Sequence, residues 1–474
     1  MLDRVDRLAG ALRAGGVCHG DRVAFLGQNQ PAFFESMFAA SRLGAIFVPL
    51  NFRLTGPELV FIVGDAGAHT IVVDAPHHAV IDSVRAELPC RRYIGAESSA
   101  PGWESLPQLI ETSAPLAEAD PISADEVAVI MYTSGTTGRP KGAMLTHGNF
   151  WWNNTNALHT FDIGIDEVTL VVAPLFHIGG LNVTGLVTWQ KGGEVVLHRA
   201  FEPARALEDI PRYGVSSMFG VPAMFLFMSQ HPAFDGTDLT SLRSLICGGA
   251  PVPEPLMKVY IGRGIPMQQG YGLTETAPFL TFLAPEFGLA KLGSAGKTPL
   301  FTEIRLVDAE GRVITEPLAK GEVCAKGPNV MKGYWNRPDA TAAAIDSEGW
   351  FHTGDVAYCD AEGFLYICDR VKDMVITGGE NVYPAEVENA LYEHPAIAEV
   401  AIIGLADERW GEAVTAVVAL KPDTSLSLDE LREFGRSRLA GYKLPSRLFT
   451  VDALPRNPAG KVLKFELRER FATI

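Results

Sequence analysis

The chain is poor in cysteine. Its six (Cys18, Cys90, Cys247, Cys324, Cys359, Cys368) are scattered over 474 residues with no C-x-x-C pair. That excludes a disulfide-knit secreted scaffold and leaves no set of ligands at zinc spacing. A basic excess is missing too: 40 Lys and Arg against 56 Asp and Glu give a net charge of −16. A broad nucleic-acid surface is therefore not expected, because neutralising phosphates needs clustered cations. No long apolar run is unbroken. The two stretches without acidic or basic side chains, 168–190 and 213–234, are interrupted by Pro, Gly, His and amides, as in Pro174-Leu175-Phe176-His177-Ile178-Gly179-Gly180. Such breaks cannot be hidden in hydrocarbon, so both stretches predict buried strand, loop and helix and no transmembrane segment. Repeats and low-complexity tracts are absent as well. Met1 leads directly into the charged Leu2-Asp3-Arg4, which predicts no secretory leader and a reduced, cytoplasmic setting.

What is there belongs to a large folded protein. Apolar residues at 47% and charged residues at 20% are ordinary for a globular chain, and the length predicts two to four units at about 100–200 residues each. Short β-branched runs such as Arg22-Val23-Ala24-Phe25-Leu26, Thr70-Ile71-Val72-Val73 and Glu194-Val195-Val196-Leu197 alternate with helix-length segments such as 31–43 and 203–213. That alternation predicts an α/β fold with parallel sheets covered by helices on both faces. From about residue 296 to 370 the pattern changes to strands with turn dipeptides, predicting an antiparallel or barrel-like β subdomain. Beyond residue 370, helix 384–392, strands 399–403 and 413–420 and helix 428–439 predict a small α+β domain. The expected division is 1–370 and 371–474, with the boundary at 370–372.

The sharpest local feature is Thr133-Ser134-Gly135-Thr136-Thr137-Gly138-Arg139-Pro140-Lys141-Gly142, directly after the apolar strand ending at Met131-Tyr132. Three glycines, four hydroxyls and one lysine give a backbone able to curl and direct N–H and O–H donors at phosphate oxygens. Two residues separate Gly138 from Lys141, so this is not a Walker loop. Taken alone the loop implies a nucleotide and no particular reaction.

This decapeptide resembles the phosphate loop of the adenylate-forming superfamily, which includes acyl-CoA synthetases, peptide-synthetase adenylation domains and beetle luciferases. Further segments match that family in order. They are Gln269-Gly270-Tyr271-Gly272-Leu273-Thr274-Glu275-Thr276, Trp350-Phe351-His352-Thr353-Gly354-Asp355, Asp369-Arg370-Val371-Lys372-Asp373, Gly378-Gly379-Glu380-Asn381-Val382-Tyr383-Pro384 and Pro455-Arg456-Asn457-Pro458-Ala459-Gly460-Lys461. The wording is most similar to bacterial fatty-acyl-CoA and feruloyl-CoA synthetases, Asn329-Val330-Met331-Lys332-Gly333-Tyr334-Trp335 included. Family members usually carry a small hairpin ahead of the helix that opens here at Leu2.

The resemblance implies a role for each matched position. Thr133, Ser134, Gly135, Thr136, Thr137, Gly138 and Lys141 would bind the phosphates, with Tyr271 and Gly272 against adenine. Thr274 would contact the α-phosphate, Glu275 would hold Mg²⁺, and Asp355 with Arg370 would bind the ribose. Oxygen ligands suit that hard cation. Lys461 would stabilise the charge that accumulates when a carboxylate attacks the α-phosphate. Lys372 would be the hinge of a mobile C-terminal domain, and Gly378, Gly379, Glu380 and Asn381 would line the tunnel for the CoA arm. His177 matches a position beside the carboxylate, although a buried structural histidine is the other reading. Val183, Phe219, Gly248, Gly249, Ala250 and Ala277 would bound the acyl pocket. No Asp stands where amino-acid-activating domains place one; the stretch reads Gly220-Val221-Pro222.

The implied activity is a two-step ligase using ATP, Mg²⁺ and coenzyme A to convert a fatty or aryl (hydroxycinnamate-like) acid through acyl-AMP to acyl-CoA. Transfer of the acyl group to an amine or a carrier-protein thiol is the alternative. Charge placement is compatible: residues 432–474 carry ten basic and four acidic side chains (+6), residues 371–431 three and twelve (−9). The tail suits polyanionic cosubstrates or loose attraction to anionic lipid. A monomer and a homodimer both remain open.

Overall fold

The computed structural model describes the chain except residues 98–99, 134–139, 251, 371–372, 378–379, 408, 437, 457–461 and 473–474; for 369, 370 and 381 it describes the backbone alone. Four sheets organise the described residues. The first has eight strands in the order Gly333–Tyr334, Lys141–Thr146, Val127–Thr133, Ile46–Leu50, Arg22–Leu26, Thr70–Val73, Arg92–Gly95 and Glu104–Ser105. Its strands from Val127–Thr133 onward pair in parallel, while the two at the opposite edge run antiparallel. The second runs Phe279–Phe282, Met267–Gly272, Ser244–Gly248, Ser217–Gly220, Val168–Val171 and Glu194–Leu197, parallel apart from its first strand.

The helices start and stop where local chemistry dictates. Thr55 caps Gly56–Ala66 in a reciprocal box with Glu58, and Gly67 ends it at φ +62°. Pro203 opens Pro203–Tyr213 and Gly214 closes it at φ +59°. Pro31–Arg42 turns Phe33 and Phe34 into the first sheet, where the Phe33 ring meets Phe25 at 5.2 Å and Phe47 at 5.0 Å, both edge-on. Each such buried side chain contributes about 1.5–3 kcal/mol.

The uncharged stretches form strand Val168–Val171 with helices Ile178–Asn182 and Gly185–Lys191, largely buried as expected, and strand Ser217–Gly220 with helix Pro222–Gln230, which buries only Phe225 and Met228 and leaves Phe227 exposed. Among the described residues no helix is long and apolar enough to cross a membrane. All six cysteines are unbridged.

The third sheet is antiparallel, in the order Val313–Ile314, Glu303–Val307, Gly321–Lys326, Phe351–Cys359 and Leu365–Arg370. The fourth contains Glu380–Val382, Val375–Thr377, Gly411–Leu420 and Ile397–Asp407, with Arg447–Val451 alongside Gly411–Leu420. Helices Pro384–Tyr392 and Leu428–Arg436 bury Val387, Leu391 and Leu431 in its core.

The opposed charges of the C-terminal region meet within this unit. Arg438 pairs with Glu393, Lys443 with Glu386, Arg447 with Asp407, Arg456 with Glu399, Lys464 with Glu388 and Arg468 with Asp373. Six of the ten cations in the +6 tail are thus turned onto the −9 stretch before it.

Candidate active site

One segment gathers the site. The strand Met267–Gly272 leaves the second sheet and passes into a single 3₁₀ turn, Thr274–Thr276. The Tyr271 hydroxyl donates to Asp355 Oδ2 at 2.8 Å, joining this strand to the third sheet, where Asp355 is opposite Arg370. Asp355 is buried, and its own N–H donates to Thr353 Oγ1 at 3.1 Å. Four residues past Tyr271, the buried Glu275 accepts from the Tyr334 hydroxyl at 2.9 Å. Lys141 Nζ lies 4.6 Å from the centre of that tyrosine ring, so a cation, an aromatic face and a carboxylate follow one another.

Lys141 is held by the hairpin of Val127–Thr133 and Lys141–Thr146, with Thr133 opposite Lys141. The loop between them, Ser134, Gly135, Thr136, Thr137 and Gly138, lies outside the described residues, as do Lys372, Gly378, Gly379 and Lys461. Of the expected CoA-tunnel residues, Glu380 is exposed at the start of Glu380–Val382, and Asn381 is opposite Ile376. The side chains of Arg370 and Asn381 are not among those described.

The turn is held by a glycine and by asparagines to which the resemblance assigns no such part. Gly272 is indispensable sterically: a Cβ there would be 1.7 Å from the Pro278 carbonyl oxygen. Ala277 follows at φ +66°, and its carbonyl accepts from Asn182 Nδ2 at 2.7 Å. Asn329 Nδ2 donates to the carbonyls of Thr276 at 2.9 Å and Phe279 at 2.8 Å, while its Oδ1 accepts from Thr302 Oγ1. On helix His147–Thr160, Asn149 donates to the carbonyls of Pro328 and Val330, Asn153 accepts from Phe279 N–H, and Asn156 accepts from Phe301 N–H. These asparagines are buried, so each amide satisfies backbone groups that water cannot reach. A usable signal was present: four asparagines in eight residues, 149–156, in a helix otherwise flanked by aromatics.

His177 stands at the start of helix Ile178–Asn182, its ring 4.4 Å from that of Phe176 and its Nε2 buried without a partner. Burial, reinforced by the nearby Arg53 guanidinium, pulls its pKa down to about 4. The imidazole is therefore neutral at physiological pH. In the expected acyl pocket, Val183 and Ala277 are buried, Phe219 and Ala250 are half-buried, and Gly248 ends its strand before the exposed Gly249 at φ +80°.

Among the described residues, one group of three metal-capable side chains lies within reach of a single ion: Glu322, Cys324 and His352. His352 Nδ1 is 2.9 Å from Glu322 and 3.5 Å from Cys324 Sγ, and burial pushes the thiol up to about 11. The group reads as a closed hydrogen-bond chain with a protonated thiol.

Residues 1–335 match the family model described as AMP-binding enzyme, and residues 386–461 the AMP-binding enzyme C-terminal domain. A feruloyl-CoA synthase of an Amycolatopsis species is 47% identical over 99% of this chain and 92% of its own. A long-chain-fatty-acid–CoA ligase of Mycobacterium tuberculosis is 40% identical over 98% and 91%. In three dimensions the chain is similar to the o-succinylbenzoate CoA synthetase of Bacillus subtilis, solved with its acyl-adenylate intermediate and, separately, with ATP and a magnesium ion. Both comparisons give a TM-score of 0.87 at 36% identity and cover 98% of this chain, with 91% and 92% of the respective relatives.

Proposed function

The chain belongs to the AMP-binding enzyme family, and from that premise we infer that it is an ATP-dependent carboxylic acid:CoA ligase acting on a fatty or aryl acid. An acid oxygen attacks the α-phosphorus of ATP; a P–O bond forms, the bond to pyrophosphate breaks, and acyl-AMP results. The CoA sulfur then attacks the acyl carbon, AMP departs with its oxygen, and the thiol proton passes to water. A mixed anhydride is already activated, so the second step needs positioning more than a strong base.

The observation that carries this reading is the convergence on residues 271–275 of groups suited to a nucleoside and to a charged phosphate chain. Tyr271 offers a flat face to adenine and Asp355 accepts ribose hydroxyls, with Arg370 opposite it in the sheet. Gly272 leaves room beside adenine and Thr274 offers its hydroxyl to the α-phosphate. The buried carboxylate of Glu275 fits a magnesium ion, which when bound offsets triphosphate charge. Lys141 and the loop 133–138 are assigned to the phosphates, Lys461 to the adenylation transition state and residues 378–381 to the CoA arm. The small domain is assigned to residues 371–474, with Lys372 as its hinge. Neutral His177 adds no competing cation beside the attacking carboxylate. In these sites anions are stabilised by fixed donors, which cost no reorganisation at the moment of reaction.

Pyrophosphate release over a panel of aliphatic and aryl acids, with and without CoA, tests the reading. Release with CoA-dependent thioester is expected, and Lys461→Ala should slow it by roughly 100-fold or more. Silence with every acid would sink the ligase. Release without thioester formation would instead favour an amine or a carrier-protein thiol as acceptor. Loose association with anionic lipid rests on the tail's net charge alone, and salt-dependent vesicle binding tests it; sedimentation decides between monomer and homodimer.

A further inference from the structure

The walls assigned to the acyl pocket run without a break into a cluster of three phenylalanines. The Phe219 ring is seated between two glycines. A Cβ at Gly179 would be 2.8 Å from its Cε1 and Cζ, and one at Gly248 would be 3.7 Å from its Cε2. One strand further along, a Cβ at Gly270 would be 3.8 Å from Phe279 Cε1 and 4.0 Å from Phe282 Cδ2. The bare backbone of the second sheet therefore faces aromatic edges directly. Phe161, from the end of helix His147–Thr160, closes on both: its ring is 4.9 Å from Phe279 at 67° and 4.3 Å from Phe282 at 71°. The pocket residue Val183 is buried in the same cluster, and Phe219 packs on its margin.

The same rings line a narrow crevice, nowhere wide enough to seat a water. It is lined in part by Asn156, Thr160 and Thr281, and the buried Thr281 Oγ1 has no partner.

We propose that Phe161, Phe279 and Phe282 form a closed aromatic floor to the acyl pocket, which admits compact aryl acids and rejects long unbranched ones. This rests on the acid:CoA ligase reading and names the substrate class of that same site. A planar acid ends against ring edges and gains edge-to-face contact with them. An alkyl tail has to part three rings held in edge-to-face contact, and forcing packed side chains aside is costly. The space beyond the rings is too narrow to seat a water, let alone an alkyl chain.

The test uses the full chain, benzoate- and cinnamate-type acids against octanoate, dodecanoate and hexadecanoate, and the variants Phe161→Ala, Phe161→Leu and Phe282→Leu. In the unsubstituted protein, kcat/KM for the best aryl acid should exceed that for dodecanoate by roughly tenfold or more. Trimming Phe161 should shrink that ratio by roughly tenfold, mainly through KM of the longer acids. The leucine variants carry the test if the alanine variant does not fold. Equal use of dodecanoate and aryl acids by the unsubstituted protein overturns the proposal, as does an unchanged ratio in folded Phe161 and Phe282 variants. Lack of pyrophosphate release with every acid is a different result: it removes the ligase reading, and this proposal with it.

Discussion

Replacing His177 with glutamine removes a titrating ring whose environment forbids its charge. The ring leans on Phe176, its Nε2 is buried without a partner, and burial together with Arg53 lowers its pKa from 6.5 to about 4. Well above pH 6.5 the ring is neutral whether the chain is folded or not, so it makes no pH-dependent contribution there. As the pH falls below that value, the unfolded chain binds a proton that the folded chain refuses, and stability drops. Each tenfold difference in proton affinity between the two states is worth ~1.4 kcal/mol. The loss therefore works out at about 2 kcal/mol at pH 5 and levels off at about 3 kcal/mol below pH 4. Urea unfolding of both proteins at about pH 7.5 and about pH 5 reads the difference: His177→Gln should lose less stability on acidification by about 2 kcal/mol. A histidine Cε1 NMR resonance that vanishes in the variant should titrate near 4. Parallel acid losses in the two proteins, or a midpoint near 6.5, would refute the reasoning.

Three other outcomes follow from the site. Gly272→Ala should lower the thermal midpoint sharply, since its new methyl meets the Pro278 carbonyl; overpacking of this kind costs about 1–3 kcal/mol or more. Tyr271→Phe takes a donor from the Asp355 carboxylate, so stability should fall by about 1.5–3 kcal/mol in urea unfolding and KM for ATP should rise. Asn329→Ala leaves the carbonyls of Thr276 and Phe279 without that amide and should cost about 2–4 kcal/mol, read as a lower unfolding midpoint.

Periodicity made the elements legible wherever the apolar pattern was unmixed. Strands Arg22–Leu26, Thr70–Val73 and Glu194–Leu197 and helices Pro203–Tyr213 and Pro384–Tyr392 fall where the residues place them. The helix expected over 428–439 is described over Leu428–Arg436 and does not include 438–439, and strand 399–403 extends to Ile397–Asp407, because pairing with Gly411–Leu420 carries it past its β-branched centre. Motif order alone singled out Tyr271, Glu275, Asp355 and Lys141; the contacts of Glu275 and Lys141 with Tyr334 could not be seen there. The asparagine links were hidden for a related reason. Asn149 and Val330 are 181 positions apart, and an amide on a helix reads as solvent-facing until its distant partner is known. The blocks of opposite charge in the C-terminal region were visible, but sequence cannot say whether such blocks face outward or face each other.

The asparagine scaffold has a consequence for how the site meets solutions of different composition. Asn153, Asn182 and Asn329 fasten the turn and its exit, and Asn149 and Asn156 the segments at 328–330 and 301, through neutral dipoles, without ion pairs. Amides do not titrate in the physiological range, and mobile ions screen dipole contacts in a dry interior far less than they screen exposed charges. The cradle should keep its shape from dilute buffer to concentrated salt and across several pH units, while the pull on a polyanion arriving from outside weakens steadily. Ionic strength would then alter how often nucleotide is captured and leave unchanged the geometry that receives it.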